Sequence, residues 1–131
     1  MPGPNFVLDK GFIIDAASNQ FKCQKVVTAT KEHATEAGAG EFAVGVLQET
    51  VSAADATAGR VCDIRIMGIS RCIASAAIAI GDRVVVAATG KVATAAATTA
   101  KQAQVGIAMT AAAANNDHLD VLLTPGVQID T

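Results

Sequence analysis

Tryptophan and tyrosine are absent from this 131-residue chain, and four phenylalanines supply all of its 3% aromatic content. Single-strand nucleic-acid binders stack bases on aromatic platforms, and those platforms are missing. Positive charge is also scarce: 10 Lys+Arg stand against 12 Asp+Glu, for a formal net charge of -2. Gripping a phosphate backbone calls for a basic footprint, so nucleic acid is not expected as a direct partner. The three cysteines, Cys23, Cys62 and Cys72, are odd in number and widely spaced. They form neither a disulfide framework nor a CxxC metal motif, and this usage fits assembly in a reducing cytoplasm. No apolar run is long enough to span a bilayer, and Met1-Pro2-Gly3-Pro4-Asn5-Phe6 lacks the basic and apolar regions of a secretion signal.

Charged residues make up only 17% of the chain and apolar ones 51%, much of it alanine. A single domain of this size must then present apolar or Ala/Thr-rich surface, which is tolerated best when something covers it. The composition points to an oligomer or a larger assembly.

What is present is a Val-Gly-apolar signature that occurs twice. Val44-Gly45-Val46 leads through a linker to Val61-Cys62-Asp63-Ile64-Arg65-Ile66-Met67-Gly68, and Val105-Gly106-Ile107 leads through Ala111 to His118 into Leu119-Asp120-Val121-Leu122-Leu123. In the first strand Cys62, Ile64 and Ile66 face one way and Asp63, Arg65 and Met67 the other, the period of a half-buried strand. Leu119, Val121 and Leu123 repeat that face, and Asp120 stands where Asp63 stood. The period of about sixty residues predicts two related halves of one small barrel, not a solenoid. Gly45 and Gly106 interrupt strand patterns and predict bends where the sheet curls. Between the copies, Gly81 to Val92 reads as strand-turn-strand, with Thr89-Gly90 as a tight hairpin turn and Gly90 left-handed.

The sequence therefore predicts an all-β, barrel-like domain over residues 11–126, an extended arm over 1–10 and a short tail over 127–131. Phe21 to Val27 reads as a strand, and residues 33–40 begin a loop. Ser52 to Gly59 and Ala93 to Ala103 mix helix-favouring alanine with threonine, serine and aspartate. Both read as loops with room for one helical turn.

No arrangement of residues rises to a catalytic, cofactor or metal site. His33 and His118 lie in polar turns without a second ligand at a fixed offset, and a metal needs three or four. Cys62 falls on an apolar strand face, where cysteine acts as a small hydrophobe rather than a nucleophile. Asp55, Asp63, Asp82, Asp117 and Asp120 occupy turns and outward faces, without the aromatic neighbours of a sugar subsite. Asn115-Asn116-Asp117 is oxygen-rich but lacks EF-hand spacing, and backbone geometry alone favours it in a turn. Gly38-Ala39-Gly40 is too short to cradle a phosphate.

The ordered set of motifs resembles the capsid cement (head decoration) proteins of tailed bacteriophages. It is carried by Asn5-Phe6-Val7, Phe42 to Leu47, the strand ending at Gly68, Ile80-Gly81-Asp82-Arg83-Val84, Gly90-Lys91-Val92, and Val105-Gly106-Ile107-Ala108 leading to Val121-Leu122-Leu123. The resemblance covers most of residues 5–126, and the longer stretch between residues 15 and 42 departs from the family pattern, with room for an extra hairpin or clamping loop. It implies a non-enzymatic virion protein, made in the host cytoplasm and attached to the outer capsid surface. Its partners would be the major capsid protein and itself, as a homotrimer more than a homodimer. On that reading the arm adds a strand to a neighbour's sheet edge, anchored by Phe6, Val7, Leu8 and Phe12. The competing reading is a non-catalytic carbohydrate- or receptor-binding β-module, disfavoured by the missing Trp and Tyr.

Overall fold

A computed structural model describes residues 6–96 and 98–130. Nine strands form one sheet: β1 (Phe6–Ile14), β2 (Cys23–Val26), β3 (His33–Glu36), β4 (Gly45–Leu47), β5 (Val61–Ile73), β6 (Arg83–Val86), β7 (Val92–Thr94), β8 (Thr98–Ala108) and β9 (His118–Asp130). The strand order is β1-β3-β2-β4-β5-β9-β8-β6-β7, and β1 also pairs with β5. Five strands, β1-β3-β2-β4-β5, thus close a ring. All pairings among the strands are antiparallel except β1 with β3.

The duplication inferred from the Val-Gly pairs extends through both halves. β1 meets β3 in parallel through Ile14 and Ala34, and Ala74, the residue after β5, makes an isolated parallel bridge to Val92 of β7. Ser18 bridges Val51 as Ile78 bridges Ala112. The Phe21 amide donates to the Leu47 carbonyl at 2.6 Å, and the Gly81 amide to the Ala108 carbonyl at 2.8 Å. Phe21 and Gly81 share a left-handed backbone, with φ 69 and 88. The second half is therefore built from the end of β5 and from β6 to β9. β5 serves both halves because it is long: residues 61–68 pair with β1, and Ile69–Ile73 pair with β9.

Gly45 and Gly106 are equivalent in contact as well as sequence. A Cβ at Gly45 would stand 2.2 Å from the Arg65 carbonyl oxygen, and one at Gly106 1.9 Å from that of Leu122. Arg65 and Leu122 each lie two residues beyond the repeated aspartate, so both glycines admit a strand too close for any side chain.

Burial follows the expected alternation. Cys62 and Ile64 are buried and Asp63 and Met67 exposed, while Leu119 and Val121 are buried in the second copy. One core cluster holds Phe12, Ile14, Ala34, Leu47, Val51, Cys62 and Ile64. The other gathers the second half's Val84, Val86, Val92, Leu119 and Val121 together with Cys23, Ala37 and Val46 of the first half. Each large aliphatic side chain so buried contributes about 1.5–3 kcal/mol. In the first half Gln24 is fully buried where the second half has Val84, and its amide donates to the Ser18 hydroxyl at 3.0 Å.

Two low-complexity segments differ from expectation. Residues 93–103, read as a loop, supply the end of β7 and the start of β8. Threonine suits a pleated strand, and the β9 ladder satisfies a backbone that alanine's weak helix preference does not hold. Residues 52–59, also read as a loop, form a short helix, α1 (Ala53–Ala58). Ser52 and Asp55 make a capping box, and Gly59 at φ 73 ends the helix. The Thr89-Gly90 turn joins β6 to β7 as expected, with Gly90 left-handed at φ 72; Thr89 is left-handed too, at φ 57.

Candidate functional surfaces

The start of β1 carries the most exposed apolar stretch of the first half. Residues 1–5 of the expected arm lie outside the described residues, and residues 6–10 are the first part of β1. They are held on β5 by the ladder and by Arg65, whose guanidinium donates to both Asp9 carboxylate oxygens at 2.9 and 3.3 Å. Val7 is 68% exposed and Leu8 46%. Directly opposite Leu8 on β5 is Met67, 50% exposed. Phe12, expected to anchor a contact, is instead packed in the core beside Ile14 and Cys62. An inward-facing position on β1 gives it to the protein's own interior. Met67 was legible as outward-facing, but sequence could not pair it with Leu8 across 59 positions, because that register includes bulges at both Phe6/Leu8 and Leu8/Asp9.

A second surface lies at the far side of β2. Lys25, Val26, Glu41, Phe42, Ala43 and Val44 line an open cleft of about 540 Å³. Phe42 is 57% exposed and Val26 46%. The Glu41 carboxylate accepts from the Lys25 ammonium and from the Gly38 amide, and these bonds hold its pKa below the usual value. Four apolar residues and one Lys–Glu pair thus line the cleft.

Several of the polar residues weighed for chemistry make structural contacts. Asp117 accepts from the amides of Ala113 and Ala114, both at 3.0 Å, so the Asn-Asn-Asp turn folds on itself. Asp82 accepts from the Ala79 amide and the Thr94 hydroxyl. His33 pairs with Asp15, and His118 meets the edge of Phe21 at 5.6 Å between centroids. All three cysteines are buried, and burial raises Cys23 to about 12 and Cys72 well above its ordinary value. Among the described residues no three His, Cys, Asp or Glu side chains converge as a metal site, and no helix is long and apolar enough to cross a membrane.

Fold and surfaces together define an all-β protein of duplicated halves whose distinctive chemistry is exposed apolar surface. The chain belongs to the phage cement protein family, whose model matches residues 21–124. β1 lies outside that matched stretch. Among solved structures the chain is similar to the head fiber gp8.5 N base in bacteriophage phi29, with a TM-score of 0.69 at 11% identity, over 89% of this chain and 93% of that one. No curated protein matches. Membership gives the protein a capsid-associated structural role and a place in the virion.

Proposed function

We propose that the protein binds the outer surface of the expanded phage capsid, between capsomers of the major capsid protein, as a homotrimer that stabilises the shell without catalysis. The observation that carries this reading is the pairing of exposed Leu8 with exposed Met67, beside Val7, on one end of the first half. Apolar groups of this size on a rigid strand suit a contact that loses little conformational entropy on binding. Binding only the expanded shell stabilises it by mass action, and an oligomer that touches several capsomers multiplies a modest contact.

The test uses the full chain, since deleting residues 1–10 would also remove Asp9 from its pair with Arg65. Val7→Ser, Leu8→Ser and Met67→Ser are combined, and cosedimentation with expanded heads is measured. Truncating a packed apolar contact costs about 1 kcal/mol or more, so the triple variant should bind at least about ten-fold more weakly. Circular dichroism should show an unchanged fold. Undiminished decoration by the triple variant would refute the assignment of this face.

A further inference from the structure

The ladder between β1 and β5 has a copy in the second half, between the end of β5 and β9. Ile13 opposite Val61 is repeated by Ile73 opposite His118, and counting along both ladders sets Asp9–Arg65 against Ile69–Leu122. The copy runs without a bulge and stops at Ile69–Leu122. The first-half ladder continues past that point, to Leu8 opposite Met67 and Phe6 opposite Gly68, through two bulges. Val7 is the extra residue on β1 and Ile66 the extra residue on β5, one on each side of the Leu8–Met67 pair. Bulges re-aim side chains. Val7 and Leu8 are both exposed, where a regular strand sends successive side chains to opposite faces.

At the base of this extension stand Asp9 and Arg65. The guanidinium donates through Nε and Nη2 to the two Asp9 carboxylate oxygens, and through Nη1 to the Ile69 carbonyl at 3.0 Å. Gly68, at φ 110, lies between Arg65 and Ile69 in the chain. One side chain thus ties β1 to β5 on both sides of the bend where β5 leaves β1 for β9. The Arg65 and Asp9 side chains are only 18% and 22% exposed, so water and salt screen them less than a surface pair. The fold itself does not call for this pair. The second half builds the same two positions from Ile69 and Leu122, and replacing a part-buried ion pair by packed apolar residues is often neutral or stabilising. What the ion pair accompanies, and the aliphatic pair does not, is the bulged extension.

We infer that Asp9 and Arg65 are positioning residues: their clamp fixes the register of the double bulge and so holds Val7, Leu8 and Met67 in one preorganised apolar face. The inference rests on the capsid reading above for the partner of that face. A planar guanidinium that grips both carboxylate oxygens sets distance and orientation together, which an aliphatic pair does not. Each bulge interrupts the ladder, and a slip of one residue would change which side chains meet. A face already held in place loses less entropy when it docks.

The test copies the second half's pair into the first. Asp9→Ile/Arg65→Leu is compared with wild type, with Arg65→Lys and with the Val7→Ser/Leu8→Ser/Met67→Ser variant. Three measurements are made: calorimetry, amide hydrogen exchange read by mass spectrometry, and cosedimentation with expanded heads. The double variant should melt within about 4 °C of wild type. Exchange over residues 6–10 should speed up about ten-fold or more while residues 12–14 stay protected. Arg65→Lys, which keeps the charge without the fork, should fall between. Head binding by the double variant should weaken about ten-fold, from the cost of ordering three released side chains. Unchanged exchange over residues 6–10 would overturn the clamp. So would melting far below wild type, which would make the pair a stability element instead. Head binding separates the two readings. If the triple serine variant loses affinity and the double variant keeps it, the positioning role fails and the capsid face stands. If exchange speeds up and neither variant changes head binding, the capsid face fails and the clamp stands.

Discussion

Replacing Gly45 or Gly106 with alanine tests the duplicated architecture at its tightest points. Neither glycine has a left-handed backbone, so the alanine would suffer no conformational penalty. On chain entropy alone the change should stabilise by about 0.4–1 kcal/mol. Space reverses the sign. The new methyl would lie 2.2 Å from the Arg65 carbonyl oxygen at Gly45 and 1.9 Å from that of Leu122 at Gly106, where 3.4 Å or more is ordinary contact. The obstacle is backbone in a paired strand, so relief requires β4 to move from β5, or β8 from β9, by more than an ångström. Overpacking of this kind costs about 3 kcal/mol, the upper part of the usual range. With an unfolding entropy of about 2.1 cal/mol/K per residue, each variant should melt roughly 11 °C below wild type. Gly126→Ala is the control, since nothing lies within 4 Å of its added Cβ. The double variant, with its two sites in separate halves, should lose about 6 kcal/mol, comparable to the whole stability of a small domain. The assay is thermal unfolding by calorimetry. If Gly45→Ala and Gly106→Ala melted within a degree or two of Gly126→Ala, the close approach of these strands would be disproved.

The thiols offer a second check. Cys23, Cys62 and Cys72 are buried, so an aromatic disulfide reagent should label none of them in native protein and all three after unfolding. Burial also raises the pKa of Cys23 to about 12 from 9.0 and that of Cys72 in the same direction. The unfolded chain then gives up these protons first, so the stability they contribute is complete below pH 9.0 and declines as pH rises from there toward 12. Denaturant titration at pH 8 and pH 10.5 should show the loss, and Cys23→Ala with Cys72→Ala should flatten it. At α1, Ser52→Ala removes one side of the capping box and should cost about 1 kcal/mol by chemical denaturation. An unchanged midpoint would mean that the helix end contributes nothing to the folded state.

Much of the fold was legible because its signals are local. Alternation over residues 61–67 and 119–123 gave both faces of two strands, and Thr89-Gly90 gave a hairpin through its backbone needs. The repeated aspartate and glycine gave the duplication. The Ala/Thr segments were not legible, since their side chains hardly discriminate between strand, helix and loop. Pairing with β9 decided residues 98–103, and a serine cap decided residues 53–58. The surfaces were legible only in part: Val7 and Leu8 could be named, but whether they belonged to a loose arm or a strand depended on the register with β5.

Periodicity and motif order lie along the chain, so they carried the all-β duplicated architecture, the buried strand faces and the resemblance to phage cement proteins. Tertiary structure alone decided that Phe12 faces the core while Met67 joins Leu8 outside. It alone also left Val26 exposed where its counterpart Val86 is buried. Those relations depend on cross-strand register and on which face a neighbour covers, and both arise only when strands distant in sequence pair.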